Sequence, residues 1–550
     1  MTNTQVLIAG GGPAGLVLAL ELGARGVACV LLNDAAHTAL HPKANAVSSR
    51  TMEHMRRHGI SNRLRVRGLA PDHPTDLTYF TSLTGHEIGR FRQPSRAEAL
   101  AEAKAGTGAW ASPEPPLRCS QIFLEEELKA KADTLPSVDM RFGWKLTGFD
   151  DLEDHVSATI ENTETSETVE ITARYLVGCD GGNSLVRKSL GIELEGESGI
   201  VRPMMGGPMY AAYFRVAEEP DWLPARRAWQ YWMHTGDMRA LLVHVDSDRL
   251  FLFHFAMPDG GDGADPTALI HKAVGREFPL EVISSVNWNA GHSLVAQKYR
   301  SGNVFIAGDA VHLFTPTGGM GMNTGVDDAV NLGWKLAAVL RGEGGEGLLA
   351  SYEAERRPIG IRNVNFARGF ADSVGNVEIS ESVSAETPEG AAERARLKTH
   401  FEHHAEFEFV IPGAFLGLRY EASPVIAYDD AVPPPDHPND YTPNAIPGSR
   451  APHVWLGDDA LFDRLGPGYT LVRFGGAHAD LGPDIQVVDI ADIAVRDLYG
   501  ADYVLIRPDQ HVAWRGDDIG DAVALADTVW GNNPYNGTMI SCAGLSNARL

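Results

Sequence analysis

The stretch QVLIAGGGPAGLVLALELGARGVACVLLN, residues 5–33, constrains the fold more than any other part of the chain. An apolar run of strand character leads into Gly10, Gly12 and Gly15, spaced G-x-G-x-x-G. Residues 16–24 continue as an apolar helix, Gly26 ends it, and 27–32 form a second strand. Such a βαβ unit binds a dinucleotide, because glycines let the backbone approach a pyrophosphate and the helix N-terminus points its positive pole there. Pro13 and Ala14 complete the loop as cofactor contacts. An acid normally ends the second strand and holds a ribose hydroxyl. Asn33 stands there instead, followed by Asp34; an asparagine oxygen can still accept from a hydroxyl. Which dinucleotide is bound is left open by these residues.

The rest of the chain bounds the problem. Its 550 residues suffice for two or three domains. With 44% hydrophobic and 22% charged residues it reads as globular. No apolar run approaches ~18 residues, so no transmembrane span is expected. The opening MTNTQVLIAGGG lacks the basic region and small-residue cleavage site of a secretory leader. A net charge of −25 argues against nucleic acid and anionic membrane as partners. Cys29, Cys119, Cys179 and Cys542 are too far apart in sequence for a disulfide framework or a zinc site, so no metal is expected and a reducing cytoplasm is the default.

Two further segments repeat the logic of a strand followed by a turn. RYLVGCDGGNSLVRKSLGI (174–192) places Asp180 after a buried strand and Arg187 in the next helix. GDAVHLFTPTGGMGMNTGVDDAVNLGWK (308–335) sets an acid, a proline and several glycines ahead of a strong helix. Taken with Gly10, Gly12 and Gly15, these segments resemble the three fingerprints of the class A flavoprotein aromatic hydroxylases. The resemblance is nearest to the phenol-type branch that includes chlorophenol and hydroxybiphenyl hydroxylases. HPKANAVSSRTMEHMRRHGI (41–60), LRCSQIFLEEEL (117–128), SYEAERRPIG (351–360), PGSRAPHVWL (447–456) and VLIRPDQHVAWRG (504–516) extend it across the chain.

The resemblance implies a mixed α/β fold. A Rossmann-like FAD-binding domain would be built from 1–190 and 301–370, with a substrate-binding β-sheet inserted at 191–300. A helical connection at 371–440 would lead to a thioredoxin-like domain at 449–550 that lacks CxxC. The proline-rich 431–448 is the linker, 138–175 a β-meander, and 95–116 an irregular cover near the site. It further implies FAD as cofactor, NADPH or NADH as reductant and O2 as oxidant. Hydroxylation of an electron-rich ring would proceed through a C4a-hydroperoxyflavin in a homodimeric protein. Gly308 and Asp309 would face the ribityl–pyrophosphate region and Pro316 the reactive flavin edge. Gly319, Gly321, Met322 and Asn323 would face the pyrimidine ring. Gln121, Asp180, Arg187, Lys43 and Arg50 would be further cofactor contacts.

Raising the electron density of a phenolic ring calls for a base. Asn45 occupies the position where relatives carry an aspartate or histidine, and an asparagine is no base at neutral pH. His41, His244 and His254 are candidates, as is a ring activated enough to need none. Trp232, Tyr210, Tyr213, Phe253 and Phe255 are candidate pocket residues, although strand parity turns only about half of such residues inward. A different flavin oxidoreductase and a catalytically silent flavin-binding homologue are the alternatives.

Overall fold

A computed structural model describes residues 2–532 apart from 219, 248, 258–262, 476–480 and 482–484. Cys542 and the end of the 449–550 unit lie outside the described residues.

The N-terminal βαβ unit forms as its sequence dictates. Strand Thr2–Ala9 pairs in parallel with Cys29–Asn33 on one side and with Thr168–Gly178 on the other. Val138–Phe142 and Val304–Ile306 extend the sheet outward, again in parallel. Helix Pro13–Gly23 is buried on nearly every side, as a helix that is apolar all round must be. It packs against the long helix Met320–Leu340 so closely that a Cβ on Gly333 would lie 2.5 Å from Glu21 Cβ. Strands Trp144–Asp151 and Val156–Asn162 fold back antiparallel onto Thr168–Gly178, giving the meander that the alternating sequence predicts.

A second sheet of seven strands runs in the order Glu281–Asn289, Pro208–Arg215, Leu250–Ala256, Arg239–His244, Gln230–His234, Leu77–Phe80, Glu87–Phe91. The last two strands correct the expected boundary: 77–91 belongs to this sheet although it falls within 1–190. Leu77–Phe80 joins by parallel pairing with Gln230–His234, a contact between distant segments that no local pattern announces. The expected irregular cover at 95–116 is also in part regular. Arg96–Ala105 is a helix, started by a Ser95–Glu98 capping box and stopped by Gly106 at φ +68°.

Helix Glu346–Gly375 runs out of the first unit, and Pro388–Phe409 and Pro412–Leu416 follow it. Residues 431–448 contain no helix or strand. The C-terminal unit is a four-stranded sheet. Thr470–Phe474 lies between parallel Gln486–Ile490 and antiparallel Tyr503–Ile506, with Val512–Gly516 beyond. Its 507–511 turn inserts into the first unit. Arg507 pairs with Glu355 at 2.6 Å and with Asp509 at 2.6 Å, Lys335 reaches Glu355 at 2.7 Å, and Arg450 pairs with Glu53. Gln510 holds a left-handed φ of +64° there and accepts from Arg50.

Candidate active site

Sterics fix the first loop. A Cβ on Gly10 would lie 2.1 Å from Cys179 O, and one on Gly15 would lie 1.9 Å from Gly10 O. A Cβ on Gly12 would meet nothing within 4 Å, so that glycine borders open space rather than protein. Asn33 does not wait free for a ribose. Its Oδ1 accepts from Gly11 N at 3.2 Å and its Nδ2 donates to Ala35 O at 2.9 Å, bracing the loop. Asp34 is exposed beside it.

The second segment is tied to the third. Asp180 accepts from Ser184 Oγ at 2.5 Å and from Val186 N at 3.1 Å, while Arg187 donates to Gly182 O and Ala310 O at 3.1 Å each. Gly308, at φ +64°, would place a Cβ 3.1 Å from Ala14 Cβ, so the 308–310 turn rests on the first loop. Asp328 secures that turn by accepting from Gly308 N at 3.2 Å, His312 Nε2 at 2.7 Å and Arg356 Nε at 2.8 Å. Burial works to raise the Asp328 carboxyl, and His312 and Arg356 more than offset it, holding it below the usual range. Asp309 differs. The residue is exposed, yet the surrounding protein desolvates its carboxyl enough to raise it against the pull of His312 and Lys43.

Pro316 is exposed at the bend. Gly318 and Gly319 both have φ +63°, and Gly319 caps the long helix without any side-chain acceptor. Gly12 caps helix Pro13–Gly23 in the same way. A third glycine-capped helix, Glu346–Gly375, is filled by protein instead: Gly345 N donates to Trp530 O and Gly347 N to Gly531 O. Of these three glycine-capped helices, the first two have no protein group on the N-cap glycine itself, each at a loop whose sequence points to the same cofactor, and Glu408 accepts from the preceding Gly318 N at 2.9 Å. The open space at Gly12 and the accessible Asp309 and Pro316 fit a flavin dinucleotide.

Asn323 staples this loop to the segment before helix Ser49–Arg57. It accepts from Ser48 N at 2.9 Å and Thr51 Oγ1 at 2.7 Å and donates to Ala46 O and Gly319 O. Its side chain is fully used, which leaves cofactor contact to backbone around Gly319, Gly321 and Met322. Gln121 is held by its backbone N on Ala44 O at 2.7 Å and by its side-chain Nε2 on Glu125 at 2.6 Å. Lys43 is exposed, within electrostatic reach of Asp309 and His41. Arg50 departs from expectation. It is buried and spends its guanidinium on Glu53, Gln510 and Asp509 O, so it serves the C-terminal interface rather than the cleft.

Parity of the seven-stranded sheet sorts the pocket candidates. Tyr210, Phe253 and Phe255 face outward, packed with helix Pro266–Val274. His244 is on that side too, against His73 and Phe251, and burial holds its imidazole down at about 3. Neither His244 nor Phe255 reaches the inner face. Trp232 and Tyr213 do point inward, toward the side where Ala46, Ile122 and Phe123 pack. The Trp232 indole N–H is bound to Gln230 Oε1 at 2.9 Å.

His41 meets the inner face through Ser284 Oγ, 2.8 Å from its Nδ1, and its Nε2 is buried without a partner. His254 Nδ1, Trp288 Nε1 and Asn45 Oδ1 are buried and unpartnered as well. His254 sits edge-on to Trp288, 5.6 Å between ring centroids. Burial, and secondarily the charge of His41, hold His254 down at about 4; burial and Lys43 lower His41 too. Both imidazoles are therefore neutral near pH 7. Ser284 and Trp288 escaped sequence reading because their strand Glu281–Asn289 has no alternating apolar pattern. A narrow cleft adjoins this region, lined by Ala46, Gly318, Gly319, Arg118, Glu408 and Phe409 among others. Arg118 and Glu408 were also missed; the only hint of Glu408 is its four-residue spacing from His404 and His400 on one helix.

Residues 3–367 match the family model for the FAD binding domain, and residues 444–532 match the aromatic-ring hydroxylase C-terminal model. The chain belongs to the FAD-dependent aromatic-ring hydroxylases. Within this family it is 31% identical over 564 residues to the FAD-dependent monooxygenase apdD of Emericella nidulans, covering 94% of this chain and 88% of that one. It is 29% identical to phenol 2-monooxygenase of a Pseudomonas species, covering 94% and 90%. The solved structure of chromopyrrolic acid-soaked RebC with bound 7-carboxy-K252c superposes with a TM-score of 0.86 at 32% identity, covering 96% of this chain and 99% of that one. The hydroxylase is accordingly an enzyme with FAD as cofactor, NAD(P)H as reductant and O2 as oxidant, and its substrate is a small aromatic molecule. Among the described residues no helix is long and apolar enough to cross a membrane.

Proposed function

We propose that this hydroxylase acts on a phenolic ring held between Pro316 and the inner face of the seven-stranded sheet, with His41 and His254 taking the ring's hydroxyl proton. The observation that carries this reading is the set of buried, unpartnered polar atoms there: His41 Nε2, His254 Nδ1, Trp288 Nε1 and Asn45 Oδ1. Buried polar groups are rarely left without partners, so such a cluster favours a polar ligand. Its donors and acceptors suit a phenol, and phenol 2-monooxygenase is among the relatives. FAD, when bound, would supply the redox chemistry, taking hydride from NAD(P)H and passing one oxygen atom of O2 to the ring while the other leaves as water. The chain's own residues do the rest. Backbone at Gly12 and Gly319 binds the dinucleotide, the helix poles there favour its negative charge, and a neutral imidazole holds the phenolic proton. Trp232, Tyr213 and the sheet above exclude water.

We further infer a cytoplasmic homodimer. The free Cys29, Cys119 and Cys179 suit a reducing compartment, and strand Glu281–Asn289 is the open edge of the seven-stranded sheet, where a second copy would pair. NAD(P)H and O2 consumption by the holoenzyme across a panel of phenols tests the activity. Ring-stimulated consumption with a product carrying one added oxygen is expected. A yellow protein whose oxygen uptake no phenol stimulates would refute it.

A further inference from the structure

Arg507, Asp509, Gln510 and His511 of the C-terminal unit are all buried. Gln510 keeps its left-handed backbone there, a conformation that a residue with a Cβ holds only where its surroundings impose it. Those surroundings belong to the cofactor-binding unit. Asp509 Oδ2 accepts from Trp334 Nε1 at 3.2 Å and from Asn331 Nδ2 at 3.4 Å, both on helix Met320–Leu340. Asp509 O and Gln510 Oε1 accept from Arg50 in helix Ser49–Arg57. One turn therefore grips two helices, and both begin at the glycine loop. There Asn323, in the first turn of the long helix, accepts from Ser48 N and Thr51 Oγ1 at the start of the other.

A second path leads from the same turn to the 308–310 turn. Arg507 pairs with Glu355, whose Oε2 also accepts from Asn331 Nδ2 at 2.6 Å. The neighbouring Arg356 donates to Thr324 O at 3.2 Å, near the start of the long helix, and to Asp328, the residue that fastens Gly308. About 16 Å of helix separates Asn331 from the N-terminal Met320. The loops at the far end of these paths carry Gly308, Gly318 and Gly319 at φ +64°, +63° and +63°. Glycine restrains a chain less than any other residue, so the shape of these loops must be held from outside.

We infer that Asp509 is a positioning residue for the flavin: through it the C-terminal unit holds the 308–310 turn and the 318–323 loop in the shape that receives FAD. It acts through Trp334, Asn331 and Arg50. A loop already in its binding shape takes up ligand without a further ordering cost. A loop that holds that shape only about 1–10% of the time binds about a hundred- to tenfold more weakly. The inference depends on FAD as cofactor and not on which ring is hydroxylated.

FAD release from the holoenzyme is followed by the rise in flavin fluorescence on dilution, in the native protein and in Asp509→Ala and Asp509→Asn. Asp509→Ala should weaken FAD binding about ten- to a hundredfold, and Asp509→Asn, which keeps an acceptor for Trp334, should weaken it less. A purely structural joint would instead lower the unfolding midpoint and leave the FAD affinity of the folded protein unchanged, and that result would overturn the inference. Backbone hydrogen exchange of the native protein, with and without FAD, tests it without any substitution, because coupling between two sites is reciprocal. FAD should slow the amides of Arg507, Gln510 and Val512, bonded to His511 O, Arg507 O and Ser449 O, by about ten- to a hundredfold. Those of Gln486–Ile490, at the edge of the same sheet, should change little. Slowing confined to residues 10–15 and 308–325, or spread evenly over the C-terminal unit, would overturn the inference. Should Asp509→Ala not fold, the exchange pattern decides alone.

Discussion

Two buried polar regions of this protein look alike by composition and differ in bookkeeping. At the C-terminal interface Arg507, Lys335, Glu355 and Asp509 satisfy one another, as do Arg450, Arg50 and Glu53. On the chamber wall His41 Nε2, His254 Nδ1, Trp288 Nε1 and Asn45 Oδ1 are satisfied by nothing. Burial depresses or raises titratable groups in both. Only in the first does a counter-charge answer it. The contrast separates a joint that holds two units together from a surface arranged for a ligand.

The difference can be broken from either side. Glu355→Ala strands Lys335 without a carboxylate and leaves Arg507 with Asp509 alone, and should cost about 3–5 kcal/mol in denaturant unfolding; a cost below about 1 kcal/mol would remove the joint from the account. His41→Asn combined with His254→Asn should lower kcat/KM for a phenol by about 10²–10⁴ while unfolding shifts by little. A parallel collapse in stability would make the chamber another structural cluster.

Acidity sharpens the comparison. Burial raises the Glu53 carboxyl, but Arg450 and Arg50 outweigh it and hold it at about 2, below the ordinary value of about 4.3. Its contribution to stability is therefore complete above that ordinary value and is lost as pH falls toward 2. Glu53→Gln should flatten this acid limb of the unfolding curve. His254, held at about 4, stays neutral well below the usual histidine range. Ring-stimulated turnover should accordingly persist through pH 6 and decline only as pH approaches 4, which stopped-flow measurement in a pH jump can follow. The smallest effect is expected of Trp288→Phe. Removing an indole N–H that has no partner should change stability by no more than about 1 kcal/mol, while raising KM for the ring.

Much of the cofactor cleft could be read from residue order, because its demands are local. Gly10 and Gly15 have no room for a Cβ, and the glycines at 318–319 need positive φ, so those positions admit little else. The chamber could be read only in part. Trp232 is on the inner face and His41 meets it through Ser284, whereas His244 and Phe255 fall on the outer face, since strand parity depends on a register that a string of residues does not display. Arg50 was misjudged for a related reason: its partners, Gln510 and Asp509, come from the far end of the chain. Leu77–Phe91 joins the second sheet through a pairing of equally long range. Arg118 gave no sign and Glu408 only its four-residue spacing from His404 and His400, because distant segments bring the two into one cleft.

The most direct test of the account is a structure of the holoenzyme with a phenolic ring bound. It should show the ring's hydroxyl oxygen within about 3 Å of His41 Nε2 or His254 Nδ1, under the inner face of the seven-stranded sheet. A ring oxygen turned away from both imidazoles, or a ring seated on the outer face near His244 and Phe255, would contradict it.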